Sequence, residues 1–235
     1  MTKRNRVKEK LQAGKPVAFI NPDHPDPSLV EHLGRYGVDA VFIDTELQSP
    51  DFQTVENLRR AADVGGMTTI VRPTTDEPWL IQRYIACGIG GVKVPHIETA
   101  AQAERLVKTV RRALRDQTED FVTVAMIESM EGVKNAAEIL KVDGIDVFFV
   151  GPGDLSNTMG GRAKADGMRN AEVVSIVYPL LDQIIAAGRI AGTTVAIADT
   201  LTIRSKGVLF IYQHLDTLMA KGVKQFVKEA TGERA

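Results

Sequence analysis

Short apolar runs alternate with longer amphipathic segments along the whole chain. The clearest run covers 147–150; it is followed by Gly151, Pro152 and Gly153 and then by Asp154. A short apolar run between turn residues is typical of a strand that is buried on both faces, as in a parallel sheet. The segments between the runs place apolar residues three or four positions apart, which predicts helices.

Eight strand-then-helix units follow from this pattern. The predicted strands cover 17–20, 39–43, 68–71, 91–94, 121–127, 147–150, 190–195 and 208–212. Eight such units in 235 residues predict an α/β fold, a closed (β/α)8 TIM barrel with right-handed crossovers. The rival is an open doubly wound sheet, which usually carries a Gly-rich phosphate loop; neither G-x-G-x-x-G nor G-x-x-x-x-G-K occurs. We therefore predict one barrel domain over 1–235, with a leading helix within 1–14.

Composition and charge narrow the classes of function. There are 29 basic and 30 acidic residues, a net charge of −1, so the chain has no overall attraction for nucleic acid or an anionic membrane. The single cysteine, Cys87, excludes an internal disulfide and a cysteine zinc cluster and fits a reducing compartment. There is no apolar run long enough for a membrane span and no signal-peptide core. These features predict a cytoplasmic protein that acts on a small molecule.

Polar residues at the predicted strand ends are the candidates for chemistry, because barrel enzymes place their active sites there. Glu128 and Asp154 follow neighbouring strands, and two carboxylates can converge on one hard divalent cation. Taken singly, each is equally typical of a helix cap or a first-turn charge. Arg72 could grip a substrate carboxylate with two hydrogen bonds, or form a structural salt bridge to a nearby acid. The backbone N–H groups of Gly153 and Asp154 could bind the same carboxylate.

Several segments resemble one known family. They are GVDAVFIDTE, TIVRP, GVKVPHIETAAQAE, MIESMEGVKNAAEIL and VDGIDVFFVGPGDLSNTMG. They are similar to the HpcH/HpaI aldolases, class II pyruvate-dependent enzymes related to 4-hydroxy-2-oxoheptanedioate aldolase, and the similarity runs from about Gly34 to the C-terminus.

The resemblance implies a TIM barrel that forms homo-oligomers, from dimer to hexamer, with the helix from about residue 216 exchanged between subunits. It also implies a Mg²⁺, Mn²⁺ or Co²⁺ ion held by Glu128 and Asp154. Arg72 would steady pyruvate and its enolate, and Gly153 with Asp154 would bind the pyruvate carboxylate.

Three positions depart from the family's pattern. Leu47 stands where members commonly have the histidine that acts as acid and base, and a leucine cannot carry a proton. Met126 replaces a frequent glutamine, and Ala86 stands where some members have an aspartate. The resemblance therefore implies intact metal and enolate sites and a changed proton-transfer group.

We predict a divalent-metal-dependent carbon–carbon lyase that acts on a 2-oxo acid through its enolate. His24 or His96 would supply the base, since histidine titrates near neutral pH, or a metal hydroxide would. Each histidine also has a structural interpretation: His24 lies in a proline-rich loop and His96 flanks a helix.

Three alternatives stay open. The barrel could have lost catalysis and bind a 2-oxo acid or a protein partner. The same site could serve a condensing reaction, like that of citrate synthase, or a decarboxylation. Finally, Lys93 could be a Schiff-base nucleophile, although strand alternation favours a Lys93 side chain that extends outward past the strand edge.

Overall fold

The computed structural model describes residues 5–48, 50–159, 168 and 170–232, so residues 1–4 of the predicted leading helix lie outside it. Within these ranges eight parallel strands close into a barrel in sequence order. The strands are β1 Val17–Asn21, β2 Ala40–Asp44, β3 Thr68–Arg72, β4 Gly91–Val94, β5 Val122–Ile127, β6 Val147–Val150, β7 Ala191–Thr194 and β8 Phe210–His214. The predicted (β/α)8 TIM barrel is therefore confirmed.

Helices connect the strands and surround the barrel. They are α1 Arg6–Gln12, α2 Pro27–Gly34, α3 Phe52–Val64, α4 Pro78–Ala86, α5 Ala100–Leu114, α6 Met130–Lys134, α7 Ala136–Ile139, α8 Pro152–Thr158, α9 Ala171–Ala186, α10 Thr200–Ser205 and α11 Leu215–Thr231, with a 3₁₀ turn at Ile197–Asp199. Helices α6 and α7 are separated at Asn135, whose side-chain amide donates to the Glu98 carbonyl at 2.8 Å. No helix within the described ranges is both long and apolar enough to cross a lipid bilayer.

The last strand lies two residues further along the chain than the sequence pattern predicts. It pairs with β1 from Val17 opposite Phe210 to Asn21 opposite His214. The turn before it is made by Gly207, with a φ of 95°, and the carbonyl of Leu209 accepts from the N–H of Val17 at 2.7 Å. This register places His214 at the carboxyl end of β8 and directly beside the end of β1.

Aromatic side chains fill the interior of the barrel. Phe19 stacks on Phe210 with ring centroids 4.1 Å apart, and it meets Phe42 edge-on at 5.9 Å. Phe149 and Tyr212 complete the group, with Tyr212 edge-on to Phe42 at 5.3 Å. Offset and edge-to-face contacts of this kind favour one fixed arrangement of the rings. They form the floor below the carboxyl-terminal mouth of the barrel.

Lys93 lies inside the barrel, so the expectation that it extends outward was wrong. It is opposite Val124 in the strand register, and Val124 belongs to the interior apolar cluster. Val92 and Val94 instead belong to the larger cluster between barrel and helices. The Lys93 side chain is 2% exposed, and its Nζ lies 3.7 Å from the Phe149 ring centroid and 4.4 Å from that of Phe42.

Candidate active site

A buried two-pronged ion pair joins the ends of β2 and β3. Asp44 lies opposite Arg72 in the strand register. The Arg72 Nε donates to Asp44 Oδ1 at 3.0 Å, and Nη2 donates to Oδ2 at 2.7 Å. Burial opposes ionisation of Asp44, but the hydrogen bonds and charge of Arg72 outweigh it and lower the pKa of this carboxyl. The pair fixes the plane of the guanidinium.

The remaining edge of the guanidinium faces two further acids. Arg72 Nη1 lies 2.8 Å from Glu46 Oε2 and 3.7 Å from Asp154 Oδ2. The structural salt bridge that the sequence left open is therefore present. Arg72 still directs Nη1 toward Asp154, the residue predicted to bind the metal ion and the substrate carboxylate.

Glu128 follows β5 and has an unusual environment. Its side chain is buried, and Oε1 accepts from the backbone N–H of His96 at 3.0 Å. Among the described residues, Oε2 is buried without a hydrogen-bond partner. Burial, followed by the nearby charge of Asp154, raises the pKa of Glu128 to about 7. A Cβ at residue 151 would lie 2.5 Å from Oε2, so Gly151 leaves the space that this oxygen needs.

The two histidines predicted as bases lie in different places. His96 has a φ of 54°, a left-handed conformation that is strained for a residue with a side chain. Its Nε2 lies 3.1 Å from Glu46 Oε1 and its Nδ1 lies 3.5 Å from Glu128 Oε1. His24 is exposed on the rim, with Nε2 3.4 Å from Asp216 Oδ1. The structure therefore brings His96 into contact with Glu46 and Glu128, whereas His24 contacts Asp216 on the rim.

Gly153 and Asp154 lie in the first turn of α8, immediately after β6. The backbone N–H groups of a first helical turn have no partner within the helix. The Asp154 carboxylate is partly exposed at the mouth of the barrel, on the side where Glu128 and Arg72 lie. This arrangement places the predicted anion-binding amides next to the two predicted metal ligands.

The residues present fit a hard divalent cation. Glu128 and Asp154 are oxygen donors of like charge, and one buried oxygen of Glu128 lacks a partner. Carboxylate oxygens suit Mg²⁺ and Mn²⁺. In the part of the chain that the structure describes, no three His, Cys, Asp or Glu side chains form a metal-binding group. The protein would thus supply two ligands and leave the others to water or substrate.

The positions that depart from the family's pattern carry no titratable group. Leu47 is 76% exposed in the loop after β2. Met126 is buried in the barrel interior, and Ala86 ends α4. None of the three can transfer a proton.

A hydrogen-bonded chain at the junction of β8 and β1 was missed by sequence reasoning. Tyr212 Oη lies 3.0 Å from His214 Nε2, and His214 Nδ1 lies 2.6 Å from Asp23 Oδ1. Asp23 and His214 are 191 positions apart, so no local pattern relates them. The available signal was barrel closure, which places the ends of the first and last strands side by side.

A parallel barrel with acids and a guanidinium at the carboxyl ends of its strands is the arrangement of a TIM-barrel enzyme. The chain belongs to the HpcH/HpaI aldolase/citrate lyase family, whose model matches residues 17–227. The resemblance seen in the sequence is therefore confirmed, and it places the chain in an aldolase and lyase class.

Named relatives agree with this class. The chain is 31% identical over 208 residues to a hydroxypyruvate/pyruvate aldolase of Rhizorhabdus wittichii, covering 80% of this chain and 82% of the relative. It is 29% identical over 257 aligned positions to a 4-hydroxy-2-oxo-heptane-1,7-dioate aldolase of Salmonella paratyphi A, covering 98% and 96%. The structure of the citrate synthase SbnG superposes with a TM-score of 0.85 at 25% identity, covering 97% of this chain and 98% of that one.

Proposed function

We propose that this protein is a divalent-metal-dependent carbon–carbon lyase of the aldolase type that acts on a small 2-oxo acid. The observation that carries the proposal is the unpaired, buried Oε2 of Glu128 beside Asp154. An ionised carboxylate in such a place is costly unless a cation neutralises it. The aldolases that resemble the chain are named for hydroxypyruvate, pyruvate and 4-hydroxy-2-oxo-heptane-1,7-dioate, which are all 2-oxo acids.

Glu128 and Asp154 would hold the cation, which is Mg²⁺, Mn²⁺ or Co²⁺ in this proposal. When bound, such an ion acts as a Lewis acid and lowers the energy of an enolate. Gly151 keeps the Glu128 carboxylate in place by leaving room for Oε2. His96 donates its backbone N–H to Oε1, and this bond fixes the orientation of the carboxylate.

Arg72 would stabilise the negative charge that develops on the substrate. Its two bonds to Asp44 hold the guanidinium before substrate arrives, so little reorganisation is needed during the reaction. Nη1 is the nitrogen that faces the proposed substrate site, where it lies near both Glu46 and Asp154. The first-turn amides of Gly153 and Asp154 would bind the substrate carboxylate.

His96 is poorly placed to accept a substrate proton directly. Both of its ring nitrogens face carboxylates, Glu46 on one side and Glu128 on the other. In this arrangement its effect is to reduce repulsion among the acids. His24 lies on the exposed rim beside Asp216. The proton-transfer group is therefore to be sought elsewhere in the mouth of the barrel.

The proposal is tested by hydrogen–deuterium exchange at the methyl group of pyruvate, followed by proton NMR in D₂O. We expect the wild-type protein to catalyse this hydrogen–deuterium exchange when Mg²⁺ or Mn²⁺ is present, and we expect the exchange to stop when EDTA is added. Glu128→Ala and Asp154→Ala should lose Mn²⁺ binding while circular dichroism shows a retained fold. Exchange that continues in EDTA, or an unchanged Mn²⁺ titration of either variant, would contradict the proposal.

Three other functions give different results in the same experiments. A barrel that binds a 2-oxo acid but has lost catalysis would bind oxalate, a mimic of the pyruvate enolate, without catalysing exchange. A Schiff-base enzyme would be inactivated by borohydride with pyruvate, at Lys93, and would resist EDTA. A condensing enzyme, which the similarity to SbnG favours as the second candidate, would catalyse exchange and also join two substrates, as mass spectrometry of the products would show.

A further inference from the structure

We propose that Tyr212, His214 and Asp23 form a proton relay that does the work of the histidine replaced by Leu47. This inference rests on the proposed function, because it assigns the proton transfer of that same site. Its basis is a continuous chain of contacts: Tyr212 Oη to His214 Nε2 at 3.0 Å, and His214 Nδ1 to Asp23 Oδ1 at 2.6 Å. A reacting hydroxyl, a base within hydrogen-bond reach and a third group that orients the base are the parts of an activated site.

Asp23 is held in position by several hydrogen bonds. Its Oδ2 accepts from the backbone N–H of Asp216 at 2.8 Å, and its own N–H donates to Asn21 Oδ1 at 2.9 Å. Its φ is 60°, a left-handed conformation that aspartate tolerates better than most residues. A fixed carboxylate at Nδ1 requires a proton on that nitrogen, so Nε2 of neutral His214 is the acceptor for the Tyr212 hydroxyl.

Tyr212 lies on the floor of the candidate active site. Its ring is edge-on to Phe42, with centroids 5.3 Å apart, and the guanidinium carbon of Arg72 lies 5.8 Å from the same Phe42 ring. Tyr212 and Arg72 thus lie against one aromatic side chain. Burial raises the pKa of Tyr212, and the charges of Asp44, Arg72 and Asp23 also act on its hydroxyl. The hydroxyl therefore stays protonated near neutral pH, as a donor to His214 must.

The relay moves a proton without creating a free phenolate. As the C3–H bond of the 2-oxo acid breaks, its electron pair becomes the carbon–carbon double bond of the enolate, and the proton forms a new O–H bond on Tyr212. The original phenol proton passes to His214 Nε2, and the resulting imidazolium faces the Asp23 carboxylate. The reverse sequence returns a proton to C3. In this relay the Tyr212 hydroxyl would contact C3, which would make Tyr212 the catalytic residue; His214 would receive the proton, and Asp23 would be a positioning residue.

The chain of contacts could instead serve only to fasten β8 to β1. The two roles differ in what Tyr212→Phe changes, because phenylalanine keeps the ring packing and removes only the hydroxyl. A relay predicts a loss of turnover with unchanged ligand binding. A fastening role predicts parallel losses of ligand affinity and thermal stability.

The test uses the full-length protein with saturating Mg²⁺ and measures methyl exchange of pyruvate, together with Kd values for Mn²⁺ and for oxalate. Tyr212→Phe and His214→Gln should each lower kcat for exchange by about 100-fold or more, the usual range for loss of acid–base catalysis. Both Kd values should stay within about twofold of wild type. The matched control is His32→Gln on the exposed part of α2, which should leave kcat unchanged.

The pH profile gives a second readout. Wild-type kcat should fall at acidic pH, because a ring that already carries both protons cannot accept the phenol proton, and this limb should disappear in His214→Gln. Among the residues that the structure describes, the titratable groups that face His214 are Tyr212, Asp23 and Asp216, the last through its backbone N–H on Asp23. Asp23→Asn should keep the fold and lower kcat, because an amide no longer selects the Nδ1–H form of the ring.

Three outcomes would overturn the inference. Exchange by Tyr212→Phe at the wild-type rate would exclude the relay and leave the proposed function standing. If Tyr212→Phe lowers the oxalate affinity and the melting temperature together with kcat, the hydrogen bonds among Tyr212, His214 and Asp23 have a structural role only. A wild-type protein that binds oxalate and never catalyses exchange would overturn the proposed function, and the relay with it.

Discussion

Lys93 is an amine inside an aromatic enclosure, and its charge state affects the stability of the whole barrel. Its Nζ lies within 5 Å of three ring centroids, those of Phe149, Phe42 and Tyr212. Burial, together with the charge of Arg72, lowers the pKa of Lys93 to about 7. Cation–π contacts offset only part of the desolvation of the ammonium group. Burial of Lys93 therefore lowers the free energy of unfolding of the protein.

Lys93→Met should raise the free energy of unfolding of the metal-free protein at pH 7, by an amount on the order of a few kcal/mol. An unfolded lysine titrates near 10.4, so between pH 7 and that value the unfolded state binds more protons than the folded state. Wild-type stability should consequently rise with pH in this window relative to the variant, by about 1 kcal/mol per pH unit. Urea unfolding at pH 7.5, 8.5 and 9.5 measures the difference; parallel curves for the two proteins would show that Lys93 is not desolvated.

Gly151 is a second residue whose identity the site requires. An alanine Cβ at this position would lie 2.5 Å from Glu128 Oε2 and 2.9 Å from Glu128 Cβ. Gly151→Ala should therefore displace the carboxylate and weaken Mn²⁺ binding by at least about tenfold, measured by calorimetry without 2-oxo acid. Gly153→Ala is the matched control, because a Cβ there meets no atom within 4 Å. Equal Mn²⁺ affinity in the two variants would mean that Glu128 does not need its present position.

At the scale of elements, α11 stands out because it buries so little of itself. The helix has 17 residues, and of these only Leu215 is buried. Met219, Val223, Phe226 and Val227 are exposed and lie on one face by helical spacing. An exposed apolar face on a regular helix is typical of an interaction surface. We propose that a second copy of this chain covers it, in a homo-oligomer that uses α11 at the subunit interface.

Phe226→Glu should lower the molecular mass in solution to that of the monomer, because it places a charge in the middle of the apolar face. Phe226 is 70% exposed, so the substitution removes no packing within the barrel. Lys228→Glu introduces the same side chain on the opposite face of α11 and should leave the oligomer intact. Light scattering coupled to gel filtration measures both. A wild-type protein that is already monomeric at about 100 μM, or an oligomer that withstands Phe226→Glu, would exclude this interface.

At the scale of the whole molecule, the sequence predicts the architecture because its evidence is local and repeated. Eight apolar runs separated by amphipathic segments specify alternating strands and helices, and the bounds of β4 and β6 match residue for residue. The placement of Arg72, Glu128 and Asp154 at strand ends follows from the same pattern. A two-residue error at β8 is small for the fold. It matters for the site, because it moves His214 from the loop to the end of the strand.

The remaining features depend on contacts that no local pattern contains. The side of the sheet on which Lys93 lies is set by its pairing with Val124. Because β4 is buried on both faces, its sequence does not alternate between polar and apolar residues and cannot show which face points into the barrel. The contact of Asp23 with His214 requires closure of the barrel between its first and last strands. The unpaired Oε2 of Glu128 depends on Gly151, which lies on the neighbouring strand end. Each of these is a consequence of register.

Because the acids converge only in the folded barrel, their charges link metal binding to the stability of the entire molecule. Burial and Asp154 raise the pKa of Glu128 to about 7, above the value of about 4.3 for an unfolded glutamate. Between these values the folded state binds more protons than the unfolded state. The contribution of Glu128 to the free energy of unfolding is therefore complete below pH 4.3 and is lost as pH rises through 7. At pH 8 the metal-free protein then holds a buried, ionised Glu128 at a cost on the order of a few kcal/mol.

Glu128→Gln keeps the shape of the side chain and removes this charge. At pH 8 in EDTA we expect the variant to melt at a higher temperature than wild type. With Mn²⁺ at about 1,000 times its Kd the order should reverse, because the wild type alone then gains about 4.1 kcal/mol from binding, which exceeds the cost of the ionised carboxylate. Glu138→Gln, an exposed ion-pair partner of Lys141, should follow wild type within about 0.5 kcal/mol under both conditions. Differential scanning calorimetry decides the matter: if wild type melts above Glu128→Gln in EDTA as well, the carboxylate is not destabilised by its surroundings, and the main support for a cation at this site is removed.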